Sequence, residues 1–198
     1  MKATKPKIFG LILAGGYSRR MGQDKSLLEF HGKPQIEYIY DLLQKCCGQV
    51  FLSKRADQKT YKNIPFINDV NEFADHGPLG GILSAMKEYP DASWIIMACD
   101  LPFVTEETIQ TLLVQRDPQK TATAFISTQD ALPEPLCAVW EGHAYDSILK
   151  LFNEGIHCPR KILIKSNVCL LQQTNPHWLD NVNTPQEYEQ IKNKTKPC

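Results

Sequence analysis

The fold of this chain is constrained above all by a regular alternation of two sequence patterns. Short runs of consecutive apolar residues, such as residues 7–13 and 94–99, predict strands that are buried on both faces of a sheet. Between them lie stretches with helical spacing of apolar residues, such as residues 34–47. The same reasoning predicts further strands at 49–53, 64–67, 121–126, 136–140 and 168–171, and further helices at 79–89, 105–115, 143–153 and from Thr184 onward.

Strands that alternate with helices along the whole chain indicate the α/β class. We therefore predict a Rossmann-like three-layer α/β/α sandwich with a mostly parallel sheet. Neither an internal repeat nor a linker interrupts the pattern, so residues 1–198 are expected to form a single domain. In such sheets ligands bind beyond the carboxyl ends of the strands. That rule directs attention to residues 13–25, 68–81 and 99–102.

Charge and cysteine usage limit the classes of partner. The formal net charge is zero, with 22 basic and 22 acidic residues, which argues against binding to nucleic acid or to a membrane surface. The seven cysteines form no C-x-x-C pair and lie at no zinc-finger spacing, so we interpret them as reduced thiols. The apolar run after the N-terminus is too short to span a bilayer and lacks a convincing cleavage site. A cytoplasmic location is expected.

The first segment has the chemistry of a phosphate-binding loop. It reads LAGGYSRRMGQDK and directly follows the first predicted strand. Gly15 and Gly16 allow backbone N–H groups to turn toward phosphate oxygens without a Cβ in the way. Arg19 and Lys25 add full positive charges that suit a triphosphate. The segment matches neither the Walker A pattern nor G-x-G-x-x-G.

This segment carries a family resemblance. The pattern L-A-G-G-x-S-x-R-M-G-x-D-K resembles the signature of the molybdenum cofactor guanylyltransferases (MobA-type), a branch of the wider nucleotidyltransferase superfamily. The resemblance implies that Leu13, Ala14, Gly15 and Gly16 bind the nucleotide, the first three of them through backbone groups. It also implies that Lys25 contacts phosphate.

The second segment resembles the D…GPLxG segment of the same family. Asp69 is followed by Gly77-Pro78-Leu79-Gly80-Gly81, and the resemblance places Asp69, Gly77 and Gly80 near the nucleoside. Guanine presents N1–H and N2–H donors, which require acceptors. Either the Asp69 carboxylate or backbone carbonyls of the turn would serve. The chain departs from the family after the second strand, where an amide is usual, and Ser53 or Arg55 would have to substitute.

The third segment predicts a metal ligand. Cys99-Asp100-Leu101-Pro102 resembles the family's C-D-x-P. A carboxylate at the tip of a buried strand suits Mg²⁺, which keeps several waters, takes phosphate oxygens and needs few protein ligands. We predict that Asp100 binds both Mg²⁺ and the nucleotide.

Two later features are candidates for the acceptor or its phosphate. Asn181-Val182-Asn183-Thr184-Pro185 resembles the family's N-x-N-T-P, and either asparagine is a candidate for contact with metal, phosphate or acceptor. Thr184 and Pro185 also form an ordinary helix start, which explains the segment equally well. Arg160 lies in a basic patch that matches the family loosely. It is a candidate for the acceptor phosphate or an ordinary surface cation.

The resemblance implies a reaction. GMP would pass from GTP to molybdopterin or molybdenum-molybdopterin, with release of pyrophosphate, and Mg²⁺ would be the cofactor. Arg19, Lys25 and Asp100 are the predicted catalytic residues. Molybdoenzymes that accept the cofactor, or their chaperones, are further candidate partners. A related cytidylyl- or sugar-phosphate nucleotidyltransferase is one alternative. A catalytically weak nucleotide-binding regulator is another, against which the intact Lys25 and Asp100 argue.

Overall fold

The computed structural model describes residues 7–14, 27–55, 61, 63–182 and 185–192. The described strands are β1 (Lys7–Leu13), β2 (Gln49–Lys54), β3 (Phe66–Asn68), β4 (Ala92–Ala98), β5 (Ala122–Ile126), β6 (Pro133–Trp140) and β7 (Val168–Leu171). The described helices are α1 (Gln35–Gln44), α2 (Pro78–Glu88), α3 (Glu106–Val114), α4 (Tyr145–Asn153), α5 (Pro159–Ile164) and α6 (Pro185–Lys192).

The strands form one seven-stranded sheet in the order β3-β2-β1-β4-β6-β5-β7. β1 pairs in parallel with β2 and β4, β2 with β3, and β5 with β7. β6 is antiparallel to both of its neighbours, β4 and β5. Within the described part of the chain, β6 is thus the single reversed strand of a mostly parallel sheet.

Helices cover both faces of the sheet. α1 and α3 pack on one face and α2, α4 and α5 on the other, so that two apolar cores are separated by the strands. Side chains of the central strands alternate between the cores: Trp94 and Ile96 point to one, Ile95 and Met97 to the other. Burial on both sides explains the continuous apolar runs of the sequence. The predicted three-layer α/β/α sandwich is confirmed.

Some element bounds differ from those that the sequence predicts. β6 begins at Pro133, three residues before the predicted start. The prediction missed these residues because their burial alternates and they do not form a continuous apolar run. The helix expected at 143–153 is a one-turn 3₁₀ helix, Gly142–Ala144, followed by α4. The sequence does not predict α5, because its six residues are too few for an apolar period. No helix among the described residues is long and apolar enough to cross a membrane.

Candidate active site

Three adjacent strand ends bring the predicted segments together at one edge of the sheet. Leu13, the last residue of β1, is opposite Ser53 of β2 on one side and Ala98 of β4 on the other. The N–H of Cys99 donates to the carbonyl O of Leu13 at 3.3 Å. Asp100 therefore follows directly beside the start of the first motif. This is the point at which the strand order reverses direction, where ligands bind in open α/β sheets.

A small recess of about 30 Å³ lies on the β2 side of this edge. Asp69 is fixed there by two hydrogen bonds. Its N–H donates to the carbonyl O of Lys54 at 3.0 Å, and Ser53 Oγ donates to its Oδ1 at 3.3 Å. The recess is lined by Leu13, Ser53, Arg55, Asp69, Asp75, Gly77 and Pro78. It thus combines the predicted residues Leu13, Asp69 and Gly77 with Ser53 and Arg55, the suggested substitutes for an amide.

The environment of Asp69 makes it an unusual carboxylate. Burial raises the pKa of Asp69 above its ordinary value, while the hydrogen bond from Ser53 and the charge of Arg55 act in the opposite direction. Nearby Asp75 adds to the rise. A carboxylate that is half-buried but still accepts a hydrogen bond is suited to receive N–H groups from a ligand in the recess.

The glycine before α2 and the two glycines within it are required for different structural reasons. Gly77 precedes the helix at φ +59°, a left-handed conformation that favours glycine. Gly80 and Gly81 instead allow close packing. A Cβ at Gly80 would lie 2.2 Å from the carbonyl O of Phe73, and one at Gly81 would lie 2.2 Å from Ser53 Oγ. Gly80 is buried in this packing, so the structure gives it a scaffold role, and its predicted contact with the nucleotide stays a prediction.

A hydrogen-bonded chain fastens α2 to the Asp69 loop. Ser84 Oγ donates to the carbonyl O of Gly80 at 2.7 Å and accepts from the N–H of Val70 at 3.0 Å. Both ends of the chain are buried or half-buried, so the position of Asp69 depends on α2.

A larger cavity of about 420 Å³ lies on the β6 side of the same edge. It contains three of the predicted residues: Asp100, Arg160 and Asn181. Pro78 lines both this cavity and the small recess, so the two compartments are adjacent. The remaining lining residues are Ala98, Leu101, Gln129, Glu134, Pro135, Leu136, Cys137, Cys158, Pro159 and Leu179.

Arg160 is held by two carboxylates at the mouth of this cavity. Its guanidinium lies 2.9 Å from Asp130 Oδ2 and 2.7 Å from Glu134 Oε2. The backbone N–H of Leu132 lowers the pKa of Asp130, and the charge of Arg160 adds to this effect. Glu134 of β6 and Asp130 of the turn before it therefore orient the Arg160 guanidinium and neutralise its charge.

The C-terminal segment reaches the Asp100 turn. The N–H of Val182 donates to the carbonyl O of Asp100 at 3.0 Å, which places Asn181 beside the cavity. Asp100 is half-buried, directly beyond the end of β4. The predicted contact of Asn181 with metal, phosphate or acceptor stays a prediction, and Asn183 lies outside the described residues.

Several predicted residues fall where the structure gives no description. Gly15, Gly16, Arg19 and Lys25 all lie outside the described residues, so their roles stay predictions. Conversely, sequence reasoning did not identify Glu134 as a cavity residue. The signal that was available is a single acidic residue between Pro133 and Pro135, in a strand that is otherwise mostly apolar.

The described residues include no cluster of three or more His, Cys, Asp or Glu side chains able to hold a metal ion.

Sequence comparison identifies the family. A model of the MobA-like NTP transferase domain matches residues 10–168. The chain belongs to this family. It is therefore an enzyme of the nucleotidyltransferase class, as the sequence analysis predicted. The matched region includes the last four residues of β1, the glycine-rich motif that follows in the sequence, the Asp69 and Asp100 segments and Arg160.

Relatives in two organisms have related names. The chain is 40% identical over 191 residues to the molybdenum cofactor biosynthesis bifunctional protein of Synechocystis sp., a match covering 95% of this chain and 54% of that protein. It is 33% identical over 190 residues to the probable molybdenum cofactor guanylyltransferase of Bacillus cereus, covering 91% of this chain and 94% of the relative. The chain thus spans about half the length of the first protein and nearly all of the second.

A solved structure supports the fold. The molybdopterin-guanine dinucleotide biosynthesis protein A of Archaeoglobus fulgidus superposes with a TM-score of 0.75 at 22% sequence identity. The match covers 94% of this chain and 97% of that chain. The two chains therefore share their overall fold.

Proposed function

We propose that this enzyme transfers GMP from GTP to molybdopterin, in its molybdenum-bearing or metal-free form, and releases pyrophosphate. The names of the relatives support this choice of reaction. The observation that carries it is the pair of adjacent compartments at one sheet edge. A small recess with an acceptor carboxylate suits the hydrogen-bonding edge of a base, and a larger cavity with Asp100 and Arg160 suits an anionic acceptor.

The reaction requires stabilisation of negative charge on the phosphates and little proton transfer. An oxygen of the acceptor's terminal phosphate attacks the α-phosphorus of GTP, a new P–O bond forms, and the bond to the β-phosphate oxygen breaks as pyrophosphate leaves. A phosphate monoester has a second pKa of about 6, so the attacking group is already largely dianionic near neutral pH. Positioning and electrostatic stabilisation are then the main catalytic effects.

Asp100 is the proposed Mg²⁺ ligand. It lies beyond the end of β4, on the cavity wall and beside the end of β1. The ion would neutralise charge on the triphosphate and on departing pyrophosphate. Lys25, Arg19 and the backbone amides of the glycine-rich motif are also proposed to hold the phosphates.

Asp69 is proposed to select the base. Guanine offers two adjacent N–H donors, and a carboxylate accepts both. Ser53 donates to Oδ1 and orients the carboxylate within the recess. Cytosine and adenine present different edges, and a mismatch leaves buried polar groups unpaired at a cost of about 1–3 kcal/mol each.

The acceptor is proposed to occupy the larger cavity. Arg160 is oriented there by Glu134 and Asp130, and Asn181 lies on the same wall. Arg160 and the asparagines are proposed to bind the acceptor phosphate. We further propose a cytoplasmic location, and transfer of the finished cofactor to molybdoenzymes or their chaperones.

A nucleotide panel tests the proposal. GTP, CTP, ATP and UTP are each incubated with the purified protein, Mg²⁺ and molybdopterin, and released pyrophosphate is measured. GTP is expected to give the highest kcat/KM, and the product is expected to contain guanine. Faster turnover of CTP would assign a cytidylyltransferase instead. Nucleotide binding without pyrophosphate release from any member of the panel would support the regulator alternative.

A further inference from the structure

Side chains in and just before α1 form hydrogen bonds to backbone carbonyls of the loop that carries Asp100. Gln35 is the first residue of that helix and is fully buried. Its Nε2 donates to the carbonyl O of Leu101 at 2.9 Å, and its own N–H donates to the carbonyl O of Leu28 at 2.8 Å. A buried amide side chain therefore reaches the residue next to the proposed metal ligand.

Two aromatic side chains extend this arrangement. Nε2 of His31 lies 2.8 Å from the carbonyl O of Pro102, a contact in which the imidazole donates. The hydroxyl of Tyr38 donates to the carbonyl O of Val104 at 3.1 Å. The two rings are stacked on each other with centroids 3.8 Å apart and an angle of 17° between their planes. Each ring thus fixes the orientation of the other.

The positions of the three side chains follow from helical spacing. Gln35 and Tyr38 are three residues apart in α1 and share a face. His31 lies in the turn before the helix and meets the same face through its stack on Tyr38. Together they engage the carbonyl groups of residues 101, 102 and 104, and Val182 engages that of Asp100 from the C-terminal segment. Four of the five carbonyls in residues 100–104 are held by groups from outside the loop.

Packing alone does not explain Gln35. Its Oε1 is buried and has no hydrogen-bond partner among the described residues. A buried unpaired amide oxygen destabilises a fold, and an apolar side chain at the first turn of α1 would avoid that cost. What a glutamine supplies and an apolar residue lacks is the donor to Leu101.

We propose that His31, Gln35 and Tyr38 are positioning residues that set the location of the Asp100 carboxylate. The inference rests on the proposed function, in which Asp100 binds the metal. A side chain on a loop has to be held within about 0.5 Å of its productive position for efficient catalysis. Bonds to the carbonyls on its C-terminal side provide this restraint without occupying the carboxylate.

The decisive variant is Gln35→Met, which keeps the length of the side chain and removes the donor. One hydrogen bond is lost and one unpaired acceptor is removed, so the two effects on stability offset. The thermal unfolding midpoint is expected to change by less than about 4 °C. Gln44→Met is the matched control, because Gln44 lies in the same helix and its amide donates to the Tyr40 hydroxyl at an exposed position.

Three readouts are used, and the first two require no turnover. Hydrogen exchange at the amide of Val182, which donates to Asp100, is expected to accelerate about tenfold in Gln35→Met and to stay unchanged in Gln44→Met. Mn²⁺ binding, measured by the electron paramagnetic resonance signal of the free ion with GTP present, is expected to weaken about fivefold with Gln35→Met alone. The Mg²⁺ concentration for half-maximal pyrophosphate release is expected to rise by the same factor.

A second variant keeps the proposal falsifiable if Gln35→Met fails to fold. Tyr38→Phe retains the ring that stacks on His31 and deletes only the hydroxyl, and it is expected to change exchange and Mn²⁺ binding in the same direction. Faster exchange with unchanged Mn²⁺ affinity would reduce these residues to structural supports and overturn the proposal, as would no change in either. Should the nucleotide panel give no pyrophosphate, the proposed function fails by itself, and exchange with Mn²⁺ binding still decides the positioning role.

Discussion

Two aspartates mark opposite ends of β4. Asp91 is exposed before the strand, and Asp100 follows it in the cavity wall. Asp100→Asn replaces a charged ligand by a neutral amide oxygen, which hard cations bind more weakly. We expect turnover to fall more than about tenfold at fixed Mg²⁺ and the Mg²⁺ optimum to rise, with little change in thermal stability.

Asp91→Asn is the control for this change, since it alters the same charge at the far edge of the sheet. Titration of Mg²⁺ against pyrophosphate release distinguishes the two variants. An Asp100→Asn protein with the wild-type titration curve would show that the principal ligand lies elsewhere.

Lys25 ends the segment that carries the family signature. Its cation is predicted to neutralise phosphate charge, so Lys25→Ala is expected to lower kcat by more than about tenfold while the protein stays folded. Lys45→Ala is a suitable control, because Lys45 forms an exposed ion pair with Glu106. Circular dichroism checks the fold and steady-state kinetics measure the effect. Near-normal activity of Lys25→Ala would remove this residue from the site.

Asp69 is expected to show a conflict between stability and function. Because burial raises its pKa in the folded state, the folded chain retains this proton to higher pH than the unfolded chain does. The group's contribution to stability is thus most favourable below its ordinary pKa of 3.8 and declines as pH rises through the folded value. Asp69→Asn removes the ionisation. The gain in unfolding midpoint over wild type is therefore expected to be larger at pH 7 than at pH 4.

The same variant is expected to lose most of the preference for GTP over CTP in calorimetric titration, since an amide presents a donor to the guanine N–H groups. A stability gain that is equal at both pH values would argue against a raised pKa. An unchanged preference for GTP would leave base selection to the backbone carbonyls of the Gly77 turn.

At the scale of the element, α2 depends on the absence of a side chain at Gly80. A Cβ there would lie 2.2 Å from a backbone carbonyl oxygen of Phe73, which has little freedom to move. Gly80→Ala is expected to lower the free energy of unfolding by about 1–3 kcal/mol through overpacking. It should also weaken nucleotide binding, because Ser84 joins Gly80 to the loop that carries Asp69.

Gly48→Ala is the matched control, since the nearest atom to its added Cβ is a Phe9 carbon at 3.6 Å, an ordinary contact. Urea denaturation measures both variants. Equal stability of the two would mean that the backbone around Phe73 adjusts freely and that α2 does not fix the Asp69 loop.

At the scale of the whole molecule, a buried ion pair and the proposed active site lie at opposite ends of the strands. Beyond the carboxyl end of β6, Glu141 accepts from Arg116 Nε at 2.6 Å and from Ser93 Oγ at 2.7 Å. The Arg116 and Glu141 side chains are only 10% and 1% exposed. Ser93 lies at the start of β4, the end remote from Asp100.

Removal of one partner leaves an uncompensated buried charge, so Glu141→Ala is expected to lower the free energy of unfolding by about 3–5 kcal/mol. Turnover of the folded fraction should stay within about twofold of wild type. Arg116→Met combined with Glu141→Leu, which replaces both charges, is expected to be more stable than Glu141→Ala. A large decrease in kcat at full folding would contradict the separation of the two edges.

The sequence by itself determined the fold class and the family. Strands such as β4, which contains the segment WIIMA, are apolar because both faces of the sheet are covered. Such a run of adjacent apolar residues can be recognised from the sequence alone. The phosphate-loop signature likewise depends on residues that are adjacent in the chain, and Asp69, Gly77 and Asp100 could be located from short motifs at the ends of strands. That the chain forms a single domain stays a prediction.

Only the tertiary structure decided which distant residues meet. The reversed direction of β6 brings Glu134 to the mouth of the cavity and sends Glu141 to the opposite edge, and no local pattern specifies that direction. Arg160 proved to be held by two carboxylates, one from β6 and one from the turn before it. Gln35 reaches Leu101 across 66 positions of sequence. Side-chain hydrogen bonds of this kind depend on packing between elements and leave no periodic trace in the sequence.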